Sequence, residues 1–125
     1  MSATAPIGER FARALAVKDR DTMHALLSPD VDFRALTPNR FWEANDAAEV
    51  VDGILLGSWF GPTDHIAEVL AVECSTVSHR ERVAYRFHVT NADGDHVVEQ
   101  QAYIEVTDGR ISWMRVLCAG VLPLG

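Results

Sequence analysis

The residues with the most chemistry to offer lie in the second half of the chain: His65, Glu68, Tyr85 and Gln100. A glutamate in an apolar setting can serve as a general acid, because desolvation disfavours its charged form and raises its pKa. Glu68 would take that role if it pointed inward beneath Trp42 or Trp59, with His65 beside it as a second proton carrier. Facing solvent, both would be ordinary surface groups. Tyr85 is the third candidate for proton transfer. Gln100 sits between Val98 and Ala102 in an alternating run and reads as an inward amide. Burying it unpaired would cost about 1–3 kcal/mol, so it needs a partner. Tyr85 lies diagonally near it, and the pair either satisfies itself in the core or turns toward a ligand carbonyl.

Other chemistry is easier to exclude than to find. The sequence has no glycine-rich phosphate loop, no His-x-His metal pair and no plausible Ser–His–Asp set, so neither metal nor cofactor is expected. His24, His79 and His96 read as solvated. Cys74 and Cys118 lack metal-ligand spacing and are too few for a disulfide framework. Both are expected as buried thiols in a reducing cytosol, which makes the cytoplasm the expected location. Met1–Pro6 has no basic segment followed by an apolar one, so no signal peptide is expected there. No apolar run approaches the roughly 20 residues that span a bilayer. The net charge of −7, with Lys18 the only lysine, argues against nucleic acid and against anionic membranes as partners.

These side chains must be positioned by a single domain over residues 1–125, since the length is too short for two good cores. Ile7, Phe11, Ala14 and Leu15 recur at helical spacing, with Thr4 and Pro6 suited to the helix start. Asp21 is the expected cap of a second short helix carrying Met23, Leu26 and Leu27. From Asp30 the period changes: Val31, Phe33 and Ala35 alternate with polar neighbours as in a half-buried strand. Pro38-Asn39 turns the chain into a short strand over Arg40–Glu43. Asp46 and Glu49 have capping-box spacing before a third helix with Ala47, Val50, Val51, Ile54 and Leu55, expected to end at Gly57 and Gly61-Pro62. Four long strands follow, with Asp93-Gly94 and Asp108-Gly109 as hairpin turns. A two-residue turn at Asp93-Gly94 would set Tyr85 opposite Ala102, Phe87 opposite Gln100 and His88 opposite Glu99. The expected fold class is α+β. The N-terminal helices packed in the concave face of a strongly curved antiparallel sheet, a cone-shaped α+β barrel, are the economical way to bury that sheet; a flat sheet with helices laid across it is the alternative.

In that arrangement an apolar hollow collects Phe11, Phe33, Trp42, Trp59, Tyr85, Phe87, Gln100, Ala102, Met114 and Cys118 as candidate ligand-binding residues. Phe41 and Phe60 join the two tryptophans near the mouth, where aromatics would stack on a flat apolar ligand. A small apolar molecule is the expected occupant. The outer sheet face would carry Arg86, His88, Glu99, Gln101, Tyr103, Trp113 and Arg115, a mixture of aromatics and paired charges that suits a homodimer interface. A filled core serving only dimerisation is the plain alternative.

The order of elements, with Ile7-Gly-Glu-Arg-Phe11-Ala-Arg-Ala-Leu15, Pro29-Asp30-Val31-Asp32-Phe33 and Asp108-Gly109-Arg110-Ile111-Ser112-Trp113-Met114-Arg115, resembles the nuclear-transport-factor-2-like superfamily. That superfamily is also called cystatin-like or SnoaL-like. The resemblance implies the cone fold, and it spans isomerases, dehydratases, cyclases, epoxide hydrolases and non-catalytic binders. Against the ketosteroid isomerase pattern, Phe11 falls where a tyrosine is needed, Ala35 near the base and Ala102 near the acid, and none of these can move a proton. The resemblance to SnoaL-like cyclases would need an acidic residue projecting inward, and the last three strands offer none. The epoxide hydrolases of this fold need an inward Asp–Arg–Asp set, which would require Asp32 and Arg34 to turn inward against the alternation at Phe33. The reading is a small-molecule binding domain. Its alternative is a SnoaL-like cyclase, isomerase or lyase working by general acid/base catalysis.

Overall fold

Residues 5–124 are described by a computed structural model of the chain. The helical stripe of Ile7, Phe11, Ala14 and Leu15 is buried on one face of helix α1 (Ile7–Ala16), while Arg13 pairs with Glu9 on the other. Pro6 takes the N-cap place without a side-chain bond, and the capping role expected of Thr4 lies outside the described residues. Lys18 breaks the helix with φ 54°. Helix α2 (Arg20–Leu26) then starts on Asp19 rather than the expected Asp21. Asp19 accepts from the Thr22 amide at 3.2 Å and the Thr22 hydroxyl at 2.6 Å, because an N-cap oxygen reaches the amide three residues on.

The third helical segment differs from its expected form. Asp46 accepts from the Glu49 amide at 2.8 Å, completing half of the capping box. From Glu49 to Trp59, however, the chain winds as a π-helix. Its backbone bonds close five residues back, as Phe60 N to Leu55 O does at 2.8 Å, and the Ser58 hydroxyl donates to Gly53 O at 3.0 Å. Gly57 lies within this helix instead of ending it. A Cβ at that position would stand 2.5 Å from Asp52 O, so only glycine tolerates the close approach. Lys18 anchors the loop beyond, donating to Gly61 O at 2.8 Å and Asp64 O at 2.5 Å.

Six strands form one curved, unclosed sheet: β1 (Leu27–Thr37), β2 (Arg40–Ala44), β3 (His65–Val77), β4 (Arg80–Asn91), β5 (Gly94–Thr107) and β6 (Arg110–Pro123). Their order is β2-β1-β6-β5-β4-β3. Neighbours are antiparallel except β1 and β6, which run parallel. Strand β3 has two register shifts, between Ile66 and Glu68 and between Val69 and Ala71. Alternation places Val31, Phe33 and Ala35 inward on β1, and Tyr85, Phe87 and Val89 inward on β4. With Phe11, Leu15, Met23, Ile104 and Met114 they form the core beneath the helices.

The β4–β5 hairpin turns at Ala92-Asp93, not at Asp93-Gly94. Asn91 Oδ1 captures the Asp93 amide at 2.9 Å, and Asn91 pairs with Gly94. Every rung therefore slides by two residues, which preserves the faces but changes the partners. Tyr85 stands opposite Gln100, Phe87 opposite Val98 and Arg86 opposite Glu99, leaving His88 opposite Val97.

Candidate ligand-binding site

A β-bulge contributes to the wall of an aromatic cavity. Val98 pairs with Val121 and Gln100 with Cys118, so β6 carries one residue more than β5 across this step. Gly120 sits in the bulge at φ 108°, and its amide turns back to donate to Cys118 Sγ at 3.4 Å. Pro38, from the β1–β2 turn, packs against Gly120, leaving no room for a Cβ without displacement. Trp42 of β2 and the end of the π-helix border the same space. The cavity of about 290 Å³ is lined by Trp42, Trp59, Phe60, Val98, Gln100 and Cys118, with Thr37, Pro38, Ser58, Gly120 and Val121 completing it.

The walls are aromatic and held in place. Trp42 meets Trp59 edge to face with ring centroids 5.8 Å apart, and Trp59 meets Phe33 at 6.0 Å. Trp42 Nε1 donates to Thr37 Oγ1 at 2.8 Å, and Arg40 lies over its ring at 3.6 Å. Among the described residues Gln100 is the one classed as buried and polar, 2% exposed. Its Oε1 accepts from Tyr85 Oη at 2.6 Å, so the expected partnership forms directly across a rung. Burial pushes the Tyr85 phenol up, well beyond the ordinary tyrosine range, with the nearby Cys118 thiol adding to the shift. The phenol stays neutral and donates.

Four of the candidate ligand-binding residues line the cavity: Trp42, Trp59, Gln100 and Cys118. Phe11, Phe33, Tyr85, Phe87, Ala102 and Met114 are packed core instead, at 2% exposure or less. Phe41 turns outward and is 56% exposed. His65 and Glu68 are exposed on the edge strand β3 and do not line the cavity. The bulge beside Ile66 is what turns Glu68 away. Thr37, Pro38, Ser58, Gly120 and Val121 were not foreseen; only the glycine in an apolar strand hinted at a bulge.

The ionisable groups collect on the outer face. Arg115 reaches Asp32 at 3.2 Å, Arg34 reaches Glu43 at 3.2 Å, and Arg86 donates twice to Glu99, through Nε at 2.9 Å and Nη2 at 2.5 Å. His88, expected beside Glu99, instead bonds Asp95 at 2.9 Å. Trp113 stacks between Arg80 and Arg115 at 4.2 and 4.4 Å. Cys118 is buried as expected, but Cys74 is exposed because β3 is an edge strand. Among the described residues no group of His, Cys, Asp and Glu could hold a metal ion. No helix there is long and apolar enough to cross a membrane.

No family model matches the sequence, and no curated protein matches it. Solved structures do match in shape. A proposed polyketide cyclase from Pseudomonas putida is 14% identical, with 88% of this chain and 86% of that one covered at TM-score 0.68. An LEH-like epoxide hydrolase from M. tuberculosis is 18% identical over 90% and 79% at TM-score 0.66. A Xanthomonas campestris protein of unknown function with a cystatin-like fold is 17% identical over 90% and 88% at TM-score 0.67. The chain thus has the nuclear-transport-factor-2-like fold, the cystatin-like α+β cone. At such identities the likeness speaks for the fold, and activity has to be argued from the site.

Proposed function

We propose that the chain binds a small, neutral, largely apolar ring compound between Trp42, Trp59 and Phe60. The observation that carries this reading is an aromatic cavity whose lining, among the described residues, holds no carboxylate, imidazole, guanidinium or ammonium group. A charged ligand would lose its hydration there without gaining a counterion. At about 290 Å³ the space is near the lower end of small-molecule sites, roughly 300–1,000 Å³. It is also about twice the roughly 150 Å³ that accepts benzene, which suits one or two fused rings. Acid/base catalysis by Glu68 or His65 is disfavoured by their exposure on β3. Tyr85, neutral and already donating to Gln100, is poorly placed to take up a proton.

Titration with indane, followed through the ring N–H resonances of Trp42 and Trp59, tests the reading. Saturable shifts are expected, and Trp59→Ala should weaken binding by about tenfold, as loss of a stacked aromatic wall implies. Resonances that stay fixed up to the solubility limit of indane would refute it.

The outer face is proposed to receive a second copy of the chain. Phe41, Leu36 and Leu117 form an outward row across β2, β1 and β6, at 56%, 52% and 53% exposure. Arg115, Trp113 and the Arg86–Glu99 pair lie on the same face of the sheet. An apolar row beside Arg, Trp and paired charges fits the composition of protein interfaces.

A further inference from the structure

The polar groups around the cavity are nearly all occupied. Trp42 Nε1 donates to Thr37, Ser58 Oγ donates to Gly53 O, and Cys118 Sγ accepts from Gly120. Gln100 Oε1 accepts from Tyr85. Two groups remain. The Tyr85 bond occupies Gln100 Oε1 and leaves Nε2 as the open end of the amide, and Trp59 Nε1 is buried with no partner among the described residues. Both residues line the same cavity, and both free groups are donors that cannot accept. Buried donors are rarely left unmet in folded proteins, so the Trp59 indole N–H calls for an explanation.

We propose that the site selects ligands bearing an oxygen acceptor, such as a ketone, quinone or lactone carbonyl, and that Tyr85 is the positioning residue that fixes this preference. The proposal rests on the binding reading above and narrows its ligand class. A side-chain amide can present either end to a ligand, since its oxygen and nitrogen are nearly the same size. Tyr85 removes that freedom. Its hydroxyl has Gln100 as its hydrogen-bond partner among the described residues, within a wall of Phe87 at 5.0 Å and Phe60 beyond it. Reversing the amide would let Nε2 donate to the phenol oxygen but strand the phenol hydrogen in an apolar setting. The hydroxyl therefore donates to Oε1 and turns Nε2 toward the cavity. Hydrogen bonds in series polarise one another, so accepting from Tyr85 also strengthens the amide as a donor.

Three bicyclic probes of similar size separate the outcomes. 1-Indanone only accepts, indole only donates through its N–H, and indane does neither. Calorimetric titration of the full chain should give binding about tenfold tighter for 1-indanone than for indane, the ratio one good hydrogen bond supplies. Indole should bind no tighter than indane. The Trp59 Nε1–H resonance should move downfield with 1-indanone alone. Tyr85→Phe frees the amide to turn over, so the preference for 1-indanone over indole should shrink by at least about threefold. The double variant Tyr85→Phe/Gln100→Leu removes both partners together, which protects the core if the single change unfolds it. It should lose the preference by the same margin or more. Indane or indole binding as tightly as 1-indanone would overturn the inference and leave the binding reading standing. An unchanged ratio in both variants would overturn the role of Tyr85. Failure of all three probes to bind would overturn the binding reading itself.

Discussion

Replacing Gly120 by alanine tests whether the cavity exists because β6 bulges. Gly120 holds φ 108°, and a Cβ there would stand 3.1 Å from Pro38 Cγ. Forcing an L-residue into the left-handed region costs on the order of 1–2 kcal/mol. Pushing Pro38 aside adds roughly 1 kcal/mol, the low end of overpacking costs. At about 2.1 cal/mol/K per residue, unfolding this chain carries an entropy that converts 1 kcal/mol into about 4 °C. Gly120→Ala should therefore melt about 8–12 °C below the parent chain. Gly94 provides the control, since it holds φ 111° with nothing within 4 Å of a built Cβ. Gly94→Ala carries the backbone strain alone, about 4–8 °C, and Gly94 is not part of the cavity lining. Melting curves by circular dichroism, with indane titration of each variant, complete the test. Indane binding should fall only in Gly120→Ala. A Gly120→Ala protein that melts with the parent and binds indane unchanged would refute the bulge as the origin of the cavity.

Two further outcomes are expected. Asp52 ties the π-helix to α2 by accepting from Arg20 through both carboxylate oxygens, with His24 3.4 Å away. The Arg20 hydrogen bonds hold its carboxyl below the ordinary 3.8. A depressed folded pKa gives stability that is present above 3.8 and lost as pH falls through the folded value. Asp52→Asn should thus flatten the fall in melting temperature below pH 3.8, modestly because the pair is exposed; parallel curves for variant and parent would contradict this. On the outer face, Leu117→Asp should halve the mass measured by sedimentation equilibrium, and a parent chain that is monomeric at high concentration would remove the dimer proposal.

The strands that read most easily in the sequence are those whose two faces see different surroundings. Val31, Phe33 and Ala35, or Tyr85, Phe87 and Val89, alternate because one side meets the helices and the other meets water. The hairpin register was harder, since it turned on one side-chain bond from Asn91 to the Asp93 amide that composition does not reveal. Val50, Val51, Ile54 and Leu55 fit an α- or a π-helix equally well, so the wider winding was invisible. The bulge in the cavity wall depended on a mismatch of one residue between β5 and β6. Such a mismatch belongs to the pair of strands and is written in neither alone. Glu68 was ambiguous for the same reason, because a shift on β3 decides which way it faces.

That irregular β3 has a consequence for the chain in concentrated solution. Its outer side offers unpaired amides and carbonyls along a strand running from His65 to Val77, a template on which copies could stack end to end into fibres. The two slips in its spacing mean that a straight incoming strand can match only a few of those groups before falling out of step. Glu68 and Glu73 are exposed along the same edge and would set like charges against any second β3 that approached. The irregularity that withholds a carboxylate from the cavity thus doubles as protection against runaway polymerisation.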